Sequence, residues 1–133
     1  MTTGIEFPDL EHELAAYLRP LLSAWSAVVD RRFPDKTWTP GYAVVLRDDS
    51  GRGLSPVTST RNVGATVIGP QTKYQQTRQL AERVATIFRL IPDELSLPIA
   101  DATVRGPYSL DATGRTEFYL TAELVTVGHT VTF

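Results

Sequence analysis

The sequence predicts a single α+β domain, a mainly antiparallel sheet with two helices packed on one face. Three observations lead there. Apolar residues recur at helical spacing in two separate stretches, Leu10 to Leu22 and Leu80 to Ile91. Between and after them, short runs rich in Val, Thr, Ile and Tyr are bounded by Gly, Pro and Asp clusters, as strands are. A chain of 133 residues builds one good core, burying roughly two thirds of the surface it exposes when unfolded, but not two.

The first helix opens at Asp9, whose carboxylate suits an N-cap, and Glu11 and Glu13 favour the positive end of its dipole. Leu10, Leu14, Tyr17, Leu18, Leu21 and Leu22 make its apolar stripe. Pro20 lacks an N–H and crowds the preceding turn, so a kink or an end is expected between Tyr17 and Arg19. Ala24 to Val29 is weakly extended, Arg31 to Lys36 reads as a turn, and Pro40-Gly41 punctuates again. Tyr42 to Leu46 is apolar on both faces and belongs inside the sheet. A polar hairpin loop at about 47–60 follows, longer than a tight turn needs and so a candidate contact segment, and then a strand from Asn62 to Ile68.

Gly69-Pro70 is expected to break that strand, and Thr72-Lys73-Tyr74-Gln75 has the form of a capping box for the second helix. Its core stripe is Leu80, Val84, Ile87, Phe88 and Ile91; Gln75, Gln79, Glu82, Arg83 and Thr86 face outward, and Pro92 stops it. A polar connection leads to a strand at Ala102 to Arg105, interrupted by Gly106-Pro107, and Leu110 to Arg115 reads as a hairpin turn. The next strand alternates cleanly, with Phe118, Leu120, Ala122 and Leu124 on one face and Tyr119, Thr121, Glu123 and Val125 on the other.

Several function classes are disfavoured. With 13 basic residues scattered among 15 acidic ones, the net charge of −2 lacks the positive footprint of a nucleic-acid binder. The absence of cysteine removes disulfides, thiolate nucleophiles and Cys-based zinc sites. Residues 1–14 carry acids where a signal peptide needs bases, and no apolar run reaches spanning length, so a soluble chain without export address is expected. His12 and His129 are too far apart in sequence for a metal motif and read as solvated or partner-facing. Asp48-Asp49 suits a hard cation by chemistry, but neighbouring side chains point apart and Arg47 and Arg52 neutralise them, so a solvated loop is preferred. Arg31-Arg32, flanked by Asp30 and Asp35, reads as a solvated turn. Gly51-Arg52-Gly53 is not a phosphate-cradling loop, and no Gly-x-Ser-x-Gly elbow occurs. No catalytic residue, metal site or cofactor is expected.

Two patterns bear on partners. Glu6, Asp9, Glu11 and Glu13 precede any basic residue, whereas the second helix carries Lys73, Arg78, Arg83 and Arg89 against Glu82 alone. Either the two helices complement each other within one subunit, or the patches meet between subunits; head-to-tail contact of different patches makes a ring when the rotation closes. Residues 127–133 alternate, with Val127, Val131 and Phe133 on one side next to His129. They either prolong the last strand or add to a neighbouring subunit.

Several phrases taken together are familiar. Phe7-Pro8-Asp9-Leu10-Glu11 leads into Leu14-Ala15-Ala16-Tyr17-Leu18-Arg19-Pro20. Tyr42-Ala43-Val44-Val45-Leu46-Arg47 runs into the tip Asp48-Asp49-Ser50-Gly51. Gln79-Leu80-Ala81-Glu82-Arg83-Val84 follows a second strand, and Gly106-Pro107-Tyr108-Ser109-Leu110-Asp111-Ala112-Thr113-Gly114 precedes Arg115 and the strand Phe118 to Val125. In these the chain resembles the tail-terminator family of long-tailed siphophages, particularly those infecting actinobacteria. The resemblance spans most of the chain through compositional motifs, and departs in Arg61 to Ile68, where Asn62, Gly64 and Thr66 stand at places often acidic or aromatic. It implies a virion protein at the tail–neck junction, a homohexameric ring that caps the tail tube, ends its polymerisation and meets a neck (stopper) protein. DNA would pass through the channel without sequence-specific binding, the family having no catalytic residues. By position, the loop Arg47 to Ser59 would order on contact with tube or neck, which makes Arg47, Asp48, Asp49 and Arg52 candidate interface residues beside Glu11, Glu13, Arg78, Arg83, Arg89, His129, Val131 and Phe133. The rivals are a head-closure or other neck protein, a class that tends to small β-barrels, and a small α+β enzyme or ligand-binding domain, which needs a pocket of convergent titratable groups.

Overall fold

A computed structural model describes residues 2–31, 41–49, 51, 53, 55, 57–94, 96–112 and 114–133. The expected turn at Arg31 to Lys36 and the Pro40-Gly41 punctuation fall largely outside them, as does Arg52. The elements run β1 (Thr3–Glu6), α1 (Leu10–Leu21), a short 3₁₀ turn (Ser23–Trp25), β2 (Val28–Asp30), β3 (Ala43–Asp48), β4 (Thr58–Pro70), α2 (Tyr74–Leu90), a second 3₁₀ turn (Ile91–Asp93), β5 (Ile99–Leu110), β6 (Arg115–Val127) and β7 (His129–Thr132). Five strands form one mixed sheet in the order β2-β3-β4-β6-β5, antiparallel except for the parallel pair β2–β3. β1 and β7 make a separate two-stranded antiparallel sheet. The α+β class is as expected from sequence.

Both helices lie on the same face of the large sheet. Leu10, Leu14, Leu18 and Leu22 from the α1 region and Leu80, Val84, Ile87 and Phe88 from α2 share one buried cluster with Val44, Leu46, Val63, Ala65, Val67, Phe118, Leu120, Ala122 and Leu124. The alternation of β6 therefore places its apolar set inward, as period-two geometry requires. On the opposite face Ala43, Val45 and Ile68 form a small buried cluster of their own, which is why β3 is apolar on both sides.

Several local expectations are corrected. α1 runs through Pro20 to Leu21 instead of ending by Arg19; so near the helix end, proline forfeits one hydrogen bond, and Leu22 N–H still reaches Leu18 O at 3.0 Å. Arg19 fixes this end to the sheet, its Nε and Nη2 donating to Val29 O at 3.2 and 3.0 Å. β4 does not break at Gly69-Pro70, which still pair with Thr116 and Arg115 of β6. Gly69 is required there by a close approach: a Cβ would stand 2.0 Å from Thr77 Oγ1 of α2. Thr72 does not cap α2; the N-cap is Lys73, with no side-chain cap bond, and Thr77 Oγ1 turns back to Lys73 O at 2.7 Å. Ala102 to Arg105 belongs to a twelve-residue β5 that continues through Gly106-Pro107 by a register shift between Arg105 and Tyr108. The weakly extended Ala24 to Val29 divides into the 3₁₀ turn and a three-residue β2.

Residues 127–133 do not prolong β6 within the large sheet. After Val127, Gly128 N–H donates to Val57 O at 2.9 Å, and β7 then pairs with β1, an element not foreseen from sequence. Gly128 is again a close approach, since a Cβ would meet Ile5 Cγ2 at 2.3 Å.

Candidate functional site

The candidate residues separate into three places. The first is the seam where α1 meets the end of β3. Glu11, in the first turn of α1, accepts the backbone N–H of Asp48 at 2.9 Å, and its other oxygen lies 3.9 Å from Arg31, which also reaches Asp9 at 3.6 Å. The Asp48 carboxylate lies 3.9 Å from Arg61 Nη1. Arg61 Nε is buried and has no hydrogen-bond partner among the described residues, while its guanidinium lies over the Phe7 ring at 5.6 Å; the ring face offers the cation a weak electrostatic partner. Asp49 turns the other way, accepting Arg47 Nε at 2.7 Å and Nη2 at 3.2 Å. That two-pronged hydrogen bond, with the carboxylate's charge behind it, holds the exposed Arg47 guanidinium still more firmly protonated than usual. The adjacent aspartates thus point to different arginines and share no site. Among the described residues no group of three His, Asp or Glu side chains is placed to hold a metal ion.

The second place is the outer face of α2. Arg78, Arg83 and Arg89 are all exposed. Arg83 stacks over Trp25 at 5.2 Å, and these two line a shallow groove of about 390 Å³ with Gln75, Arg78, Gln79, Glu82 and Thr86. Arg89 sits in the last turn, where a cation complements the helix dipole. No ion pair joins α1 to α2 among the described residues. The acids of α1 are matched by Arg31 and by a backbone N–H instead, and Glu13 is half-exposed with no ion pair among them. Complementarity between the two helices within one subunit, the simpler of the two sequence readings, is therefore not how these charges are arranged.

The third place is the β1–β7 ribbon. His129 lies opposite Glu6 and Val131 opposite Gly4; Thr2 and Phe133 exchange two backbone hydrogen bonds of 2.7 Å. Phe133 is 76% exposed, its ring edge resting over Gly4. No residue of either strand is buried. Sequence reasoning missed β1 because a four-residue Thr-Gly-Ile-Glu stretch has no period to detect; it exists through its partner. Arg61, Phe7 and Trp25 were missed for a similar reason, since stacking across elements leaves no local pattern.

A second aromatic surface lies at the other end of the molecule. Tyr108 pairs with Tyr119 and Leu110 with Glu117 across β5 and β6, which puts Tyr108, Leu110 and Tyr119 on the sheet face away from the helices. The hydroxyl end of the Tyr119 ring sits close over Gly64, and Tyr108 and Leu110 are 57% and 42% exposed. No helix is long and apolar enough to cross a membrane among the described residues. No known protein-family model matches the chain, and no curated protein sequence matches it either.

Proposed function

We propose that this chain is a structural part of a long-tailed phage virion, a tail terminator that forms a homohexameric ring on the tail tube, ends tube polymerisation and joins tail to neck. What supports the reading is the open state of its strands. β5, twelve residues long, has no partner on its outer edge among the described residues, and the β1–β7 ribbon is an edge on both sides. Long free edges and an unburied ribbon are finished in stable proteins by pairing or covering, and copies of the chain supply both. The phrases shared with the tail-terminator family fall on the parts that frame these surfaces: α1, β3 with its polar tip, and the β5–β6 hairpin. The partners are then the chain itself, the tail tube protein and a neck stopper protein, with DNA crossing the central channel without base recognition.

Sedimentation velocity and negative-stain microscopy of the purified protein, alone and mixed with polymerising tail tube protein, test this. A six-membered ring with a central hole that caps tubes and fixes their length is expected. A monomer that neither assembles nor alters tube growth overturns the proposal.

A further inference from the structure

The ribbon exposes Val131 and Phe133 on one side and the aromatic shelf exposes Tyr108 and Leu110, and the two lie at opposite ends of the same subunit. Leu110 lies opposite Glu117, and the ribbon begins just past Val127. Ten residue steps along β6 separate these ends by about 33 Å. If the six steps from Val127 to Phe133 ran straight back, about 13 Å would still remain. Leu110, at the far end of the shelf, is thus out of reach of its own subunit's ribbon.

Resting on the ring reading, we infer that the β1–β7 ribbon is an arm that docks on the neighbouring copy, laying Val131 and Phe133 against Tyr108, Leu110 and Tyr119. Three features favour a second copy as the occupant. A four-pair ribbon with nothing buried is marginal in water and gains stability by covering Val131 and Phe133. Val131 and Phe133 are two residues apart on a strand and so project to the same side, matching the same-side pair Tyr108 and Leu110. The two surfaces are different patches at opposite ends, so in the ring their contact is head-to-tail and passes from each copy to the next. Aromatic side chains at such a contact are the residues that dominate binding.

The natural chain has no cysteine, which makes the test direct. Phe133→Cys and Leu110→Cys are prepared as separate variants, mixed and oxidised; a disulfide forms only where Cα atoms approach to about 4.4–6.8 Å. A mixed 110–133 disulfide is expected, together with a closed ladder of linked species from the double variant. Both positions are exposed, so far-UV circular dichroism is expected to match the native protein. In parallel, Phe133→Ser and Tyr108→Ser are each expected to raise the concentration for half-assembly at least tenfold. Exclusive 133–133 and 110–110 linkage, or no linkage, overturns the arm contact. So do rings that form as readily with Phe133→Ser as without it, and in that case the ring itself stands. A native protein that never leaves the monomer and never cross-links overturns both.

Discussion

Replacing Glu11 separates a partner-facing carboxylate from an internal tie. Its Oε2 accepts Asp48 N–H at 2.9 Å, and the side chain is only 23% exposed. A hydrogen bond to a charged group contributes about 1.5–3 kcal/mol, reduced here by partial solvent access. The Arg31 contact, at 3.9 Å and with Arg31 55% exposed, adds little. Glu11→Ala is therefore expected to cost about 2 kcal/mol, against a total of about 5–15 kcal/mol for a domain of ordinary stability. Glu11→Gln keeps an acceptor oxygen without its charge and is expected to cost about half as much. Urea unfolding followed by circular dichroism reads both, with the midpoint falling and the slope unchanged. Hydrogen exchange adds a local readout, since the Asp48 amide loses protection in the alanine variant only. Glu11→Ala within about 0.5 kcal/mol of the native protein, or a Gln variant as unstable as the Ala one, refutes the tie and returns Glu11 to the surface available for partners.

Phe88 is fully buried in the shared core, and Phe88→Ala is expected to cost about 3–5 kcal/mol by the lost transfer and the cavity left, visible as a large drop in the thermal midpoint. Gly69→Ala places a Cβ 2.0 Å from Thr77 Oγ1 and is expected to cost about 1–3 kcal/mol by forcing α2 off β4; a chemical-denaturation midpoint equal to the native value refutes the close approach. Thr126 Oγ1 donates to Ser59 O at 3.0 Å in a fully buried site, so the near-isosteric Thr126→Val is expected to lose about 1 kcal/mol in the same assay.

Much of the body was legible because its signals are periodic. Every residue placed on the α2 stripe is buried and every one placed on its outer side is exposed, since seventeen residues give the 3.6 period room to show. β6 was legible for the same reason at period two. The misses share a cause, which is tertiary contact overriding local punctuation. Gly69-Pro70 breaks an isolated strand, but β6 pairs with it and Thr77 leaves room only for glycine. Thr72 satisfies the capping pattern, yet the chain enters the helix a residue later. Gly106-Pro107 is accommodated as a bulge because β6 continues alongside. Of the candidate surface residues, the charges were found but their use was not: nothing in the spacing of Glu11 and Asp48, 37 positions apart, announces a hydrogen bond.

The seam and the arm also explain each other. Arg61 stands between them, with its guanidinium 3.9 Å from Asp48 on one side and over the Phe7 ring on the other. Phe7 directly follows β1, so the root of the arm is held through Arg61 to the same strand end that Glu11 fixes. From that end the polar loop departs. Core burial, in Phe88 and its neighbours, does not extend into the ribbon, whose residues are all at least partly exposed. On the inferred arm contact, stability and association are carried by different residues: substitutions at Phe88, Gly69 or Thr126 are expected to act on folding and those at Phe133 or Tyr108 on assembly, while Arg61 touches both the seam and the root of the ribbon. Losing its guanidinium is expected to free the ribbon's root without emptying the core, and so, on the inferred contact, to weaken assembly by more than it weakens the fold.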